Sequence, residues 1–153
     1  MAARNYMLAV FLVLAGCDGT DPTATDEPTL SPLQLQHQWV PQEIFGRDIP
    51  PSVNGVGARR KLWFSGQSAG TFAASNGCSQ AKGTYTVDPD GQFAATLTDP
   101  ALKACPGISL VPNLKAVLHT RRLYVDDSKR LHLLDDDGHE IGLYVMGVQV
   151  HAD

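Results

Sequence analysis

Gly70-Thr-Phe-Ala-Ala-Ser-Asn-Gly-Cys-Ser-Gln-Ala-Lys-Gly-Thr-Tyr-Thr-Val-Asp-Pro-Asp-Gly-Gln-Phe-Ala-Ala-Thr-Leu97 is the stretch whose reading decides the fold. Gly70 to Ser75 is extended, and Asn76-Gly77 marks a tight turn into Cys78. Gly83 to Val87 and Gln92 to Leu97 flank Asp88-Pro89-Asp90-Gly91. Pro89 has the fixed φ of a first central turn position, and Gly91 can take a left-handed one, so the pair reads as a hairpin. Side chains alternate across a strand, which puts Tyr85 and Val87 on one face and Phe93, Ala95 and Leu97 on one face of the partner.

The same pattern extends both ways. Upstream, Leu35 to Val40 alternates imperfectly, with Trp39 as the expected core anchor. Pro41 to Gly57 reads as loop, pinned to the core by Ile44 and Phe45. Lys61 to Ser65 is a strand with Leu62 and Phe64 on one face and Trp63 on the other, and Gly66-Gln67-Ser68 turns the chain back. Downstream, Leu110, Leu114, Val117 and Leu118 form the stripe of one short amphipathic helix, with Pro112 in its first turn. Strands resume at Arg122 to Asp126, Arg130 to Leu134 and Glu140 to Met146, with Val148 and Val150 as a final short one. The turns between them are rich in Asp, Ser and Gly. The fold expected is mainly β: a small antiparallel barrel or strongly curled sheet of about eight strands with one short helix.

The 153 residues fit one domain, and 43% hydrophobic content is ordinary for a globular chain. A net charge of -4 gives no electrostatic case for nucleic acid. Residues 1–16 read as a leader. Arg4 precedes the apolar run Tyr6 to Leu14, which is far shorter than the roughly 20 residues a spanning helix needs. The run ends in Leu14-Ala15-Gly16-Cys17, which resembles the lipobox of bacterial lipoproteins. That resemblance implies a lipoprotein signal peptide at 1–16, acylation of Cys17 and cleavage before it. Residues 17–36 then form the lipidated Cys and a flexible tether, with Pro22, Pro28, Pro32 and four acids but no Lys or Arg. Membrane contact through N-terminal acyl chains and a periplasm-facing place in a bacterial cell envelope follow as expectations.

Trp39, the strand Leu62-Trp63-Phe64, the run Gly70 to Ser79 and Gly83-Thr84-Tyr85 together resemble the META domain of HslJ-type bacterial lipoproteins. Later pieces are Thr98, Ala104-Cys105, Leu118, Tyr124 and Leu131-His132-Leu133 before Asp137-Gly138. Ser79 stands where that family usually has Asn, and the segment from Thr98 to Cys105 is longer and lacks the usual Met. The resemblance implies a META-like β domain over 37–153, a small barrel-like fold, and a link to envelope stress or antibiotic tolerance. It supplies no catalytic residues.

The chemistry-bearing residues offer few sites. Cys78 and Cys105 can form a disulfide in an oxidising compartment, worth about 3.5 kcal/mol by chain entropy, or remain buried thiols. No metal-ligand spacing accompanies them. Gly66-Gln67-Ser68-Ala69-Gly70 matches a hydrolase elbow, but that elbow needs a helix after the Ser, where a strand is expected. Asp135-Asp136-Asp137-Gly138 with Glu140 lacks EF-hand spacing and reads as a solvated turn. His132 is expected on the solvent face, opposite Leu131 and Leu133. No cofactor, metal or catalytic residue is assigned. The function expected is a lipid-anchored, non-enzymatic envelope protein acting on an envelope protein or small molecule. The alternative is a carrier holding a small apolar ligand in a barrel cavity lined by Trp39, Phe72, Tyr85 and Tyr124.

Overall fold

The computed structural model describes residues 32–49, 60–100 and 109–147. A 3-10 turn, Pro32–Leu35, leads into β1 (Gln38–Ile44) and β2 (Arg47–Asp48). There follow β3 (Lys61–Gly66), β4 (Ala69–Ser75), β5 (Gln80–Val87), β6 (Phe93–Asp99), α1 (Val111–His119), β7 (Arg122–Val125), β8 (Arg130–Leu134) and β9 (Glu140–Met146). Each strand is antiparallel to its neighbours, in the order β6-β5-β4-β3-β1-β9-β8-β7, with β2 beside β1. The sheet curls through 245° into a half-barrel, so the molecule is mainly β with one short helix, as the sequence pattern predicts.

Two meanders make this sheet, β3 to β6 and β7 to β9, and β1 lies between them. Its ladder to β3 is short, pairing Gln38 with Trp63 and Trp39 with Leu62. Its ladder to β9 runs from Trp39↔Met146 to Ile44↔Gly142 and shifts register between Pro41 and Glu43. That bulge is what lets β1 continue through Pro41, which lacks an N–H to donate. The loop expected from Pro41 onward is therefore strand as far as Ile44. Phe45 and Gly46 form the two-residue hairpin loop, both at positive φ (50° and 68°). Ile44 faces the core, but Phe45 is 43% exposed, correcting the expectation that both pin the core. A side chain in the loop has left the strand alternation and points away from the face its neighbour buries.

The far edges of the sheet meet at one point. Gln92 bridges Arg122; Phe93 N donates to Arg121 O at 2.7 Å and Leu123 N to Gly91 O at 2.9 Å. Gly91, at φ 78°, permits this contact because a Cβ there would collide with the Leu123 carbonyl. α1 packs against β6, β1 and β9. Leu110, Leu114 and Val117 of the sequence stripe are buried in the shared core with Ala116, and Leu118 packs against it partly buried. A buried polar staple fixes the helix: Tyr144 O–H donates to Asn113 Oδ1 at 2.6 Å, and Asn113 Nδ2 donates to Lys61 O at 3.4 Å.

The core holds Leu35, Trp39, Leu62, Phe64, Phe72, Tyr85, Val87, Phe93, Leu123, Leu131, Leu133 and Tyr144 among others. Leu35 is fully buried and its carbonyl accepts the Trp39 indole N–H at 3.1 Å, so packing reaches upstream of residue 37. Phe64, Tyr85 and Phe93 form an aromatic triad with centroids 5.1–5.9 Å apart. Val148 and Val150 lie outside the described residues.

Candidate functional site

Where a ligand was expected, the described residues pack against one another. Trp39, Phe72 and Tyr85 are all core residues. Tyr85 also donates its O–H to the carbonyls of Gly66 (3.1 Å) and Gln67 (3.2 Å), tying the β3–β4 turn to β5. Tyr124 is not with them. Leu123 and Val125 on either side of it face the core, so Tyr124 sits on the outer surface. The four candidate lining residues therefore do not converge on one cavity.

The outer face carries a groove of about 580 Å³ across β1, β3 and β4. The alternation Leu62-in, Trp63-out, Phe64-in puts a half-buried indole on the solvent side. Trp63 stands in a cross-strand row between Gln38 of β1 and Ala73 of β4. Two pairs further on, and so on the same face, Lys61 faces Ser75. His37 and Gln36 extend the wall upstream. His37 stands edge-on to Trp39 at 6.1 Å. Gln36 Nε2 donates to Gly66 O at 2.9 Å, leaving its carbonyl oxygen over for another donor. Ser75 Oγ accepts from Gly77 N at 3.0 Å, which leaves its own proton to give. Lys61 forms no ion pair among the described residues. The sequence puts Trp63 on the face opposite Leu62 and Phe64 and suggests no site there; a large aromatic set against the apolar face of its own strand was the available signal.

A second outer cluster centres on His132. It lies on the face opposite Leu131 and Leu133, as expected, yet is only 8% exposed. The ring stacks on Tyr124 with centroids 4.5 Å apart and planes 3° from parallel. Its Nδ1 meets Glu140 Oε2 and its Nε2 meets Asp126 Oδ2 at 3.1 Å. Arg130 closes the cluster: its N–H donates to Asp126 Oδ1 at 2.8 Å and its Nε to Oδ2 at 2.7 Å. Burial pushes the Asp126 carboxyl up, but the Arg130 backbone N–H, the His132 ring and the Arg130 guanidinium outweigh it and hold it at about 2. Burial, then the Glu140 and Asp126 charges, raise the Tyr124 phenol. Both His132 ring nitrogens, Asp126 and Arg130 are paired within the cluster, which locks the β7–β8 turn to β9.

Ser68 is exposed in the β3–β4 turn and is followed directly by β4, where a hydrolase elbow would need a helix. Asp135, Asp137 and His139 bring ligand atoms within 4.8 Å of one another. Asp135 Oδ1 already accepts from the backbone N–H of Asp137 (3.1 Å) and His139 (2.8 Å), as in any Asp-led turn. Glu140, grouped with that turn in the sequence, faces His132 instead. Cys78 lies exposed at the corner where Asn76, itself buried, accepts from the N–H of Cys78 (3.0 Å) and Ser79 (2.8 Å). Gly77 there has φ 87°. Cys17 and Cys105 lie outside the described residues. Comparison with family models, with curated proteins and with solved structures finds no match for the chain.

Proposed function

We propose that the protein is a lipid-anchored, non-enzymatic component of a bacterial cell envelope. In this reading it holds a META-type half-barrel off the membrane and works by contact through its outer face. The observation that carries this is the placement of the large aromatics. Trp39, Phe72 and Tyr85 fill the interior, while an open groove with an outward Trp63 lies on the surface. A carrier of apolar ligands needs the reverse, an empty interior and a closed exterior. The lipid anchor and the META assignment are supported by the Cys17 lipobox and by the spaced residues from Trp39 to Gly138. Support of envelope stress or antibiotic tolerance follows from that same likeness. In an exported compartment, Cys78 pairs with Cys105 in this reading and ties the Asn76-Gly77 corner to the segment after β6.

Fractionation tests the anchor. The wild-type chain, expressed in a bacterium, is expected in the membrane fraction and to be released by detergent, whereas Cys17→Ala is expected to lose membrane partitioning. Equal partitioning of both removes the lipid anchor. Thiol alkylation of unreduced protein, read by mass spectrometry, tests the disulfide; alkylation of both Cys78 and Cys105 removes it.

A further inference from the structure

We infer that the Trp63 groove is a binding site for a carboxylate-bearing oligosaccharide, a deepening that rests on the reading of the outer face as the contact surface. The shape comes first. A volume of about 580 Å³ is in the size class of small-ligand sites, and the groove is long enough to cross three strands. The β3–β4 ladder is continuous beneath it, whereas β1 and β3 pair only at Gln38–Trp63 and Trp39–Leu62.

The side chains then narrow the chemistry. Gln36, His37, Gln38 and Ser75 surround one indole. An apolar ligand seated there would strip water from these groups and return nothing. The ligand must offer hydroxyls or amides around its rim. Trp63 asks for the opposite at the centre, a flat C–H surface against the electron-rich face of the ring. A pyranose ring has both: axial C–H groups on one face and hydroxyls around its edge. Lys61, opposite Ser75 at the same site, supplies a cation with no acidic partner among the described residues. That charge selects a sugar carrying a carboxylate over a neutral one.

The test uses the full chain in detergent with both tryptophans replaced by 5-fluorotryptophan and read by fluorine NMR. Trp39 is fully buried and serves as an internal report on the fold. Trigalacturonate is expected to move the Trp63 signal saturably and leave that of Trp39 in place. A neutral N-acetylglucosamine trimer should bind at least fivefold more weakly. Lys61→Gln should abolish this preference, and Trp63→Ala should abolish the calorimetric heat of binding while the Trp39 signal holds. An equal response to both sugars, unchanged by Lys61→Gln, overturns the selectivity for carboxylate. A response to an acidic hexapeptide and to neither sugar overturns the ligand class and leaves the groove as the contact surface. Silence from all three probes overturns the site and leaves the contact reading to partners other than these.

Discussion

Gly83→Ala tests the packing of the barrel wall most directly. Gly83 lies opposite Phe72 on β4 and Leu97 on β6, beside a register shift that bends the sheet. A Cβ at this position would collide with the Phe72 ring and with the Thr96 carbonyl oxygen. In a strand with room, Ala for Gly stabilises by roughly 0.5–1 kcal/mol because the unfolded chain loses freedom. Overpacking of a filled core costs about 1–3 kcal/mol, and here one obstacle is backbone, which cannot rotate away. The net expectation is a loss of about 2 kcal/mol and a fall in Tm of roughly 10 °C for a domain of this size. Thermal unfolding followed by circular dichroism measures it. Gly138→Ala is the control: nothing lies within 4 Å of its Cβ, and only its φ of 80° opposes the change, at about 1 kcal/mol. A Gly83→Ala protein as stable as wild type, or more so, would refute the close approach of β5 to Phe72 and Thr96.

Further outcomes follow from the polar contacts. Tyr144→Phe leaves the buried Asn113 Oδ1 without its donor and should cost about 1–3 kcal/mol in urea unfolding. Burial raises the Tyr144 phenol far above its usual 10.0; its stability contribution is present below pH 10.0 and lost as pH rises further, so the loss of stability above pH 10.0 should be shallower in the Tyr144→Phe chain. Asp126 is lowered from 3.8 to about 2, so its contribution is full above pH 3.8 and lost as pH falls through about 2. With solvent screening that amounts to about 1 kcal/mol, and Asp126→Asn should flatten the acid limb of a stability–pH curve. Phe72→Ala, by emptying the ring's place in the core, should cost about 3–5 kcal/mol by chemical denaturation.

The local pattern carried most of this fold. Strands β3 to β6 and β7 to β9 are joined by tight turns, and alternation with Asn-Gly, Pro-Asp-Gly and Asp-rich turns marks each of them in the sequence. The helix stripe was equally plain. What was hidden needed long-range geometry. Nothing near Pro41 tells that a bulge will carry β1 past it, because the partner Tyr144 is a hundred residues away. Alternation gave the right face for His132 but could not show Tyr124, Asp126 and Glu140 closing over it. The aromatics chosen as a ligand lining were selected by type; three belong to the inner face and fill it, and Tyr124 falls on the other. Trp63 had the right face in the sequence, but its role depends on Gln36, His37 and Ser75, which only the folding of β1 and β4 beside it brings near.

The place of β1 in the strand order bears on how this chain reaches its native state. Among the described residues the first strand in the chain, β1, is the fifth across the sheet, and one of the strands that flank it in that order, β9, is the last. The two meanders can each form as they emerge, but apart from the contact at Gln92 and Arg122 the sheet joins them only through β1, paired on both sides. Completion of the sheet therefore waits for nearly the whole chain to be delivered. Until then Trp39 has no Met146 opposite it, and an apolar strand stays open to other partners.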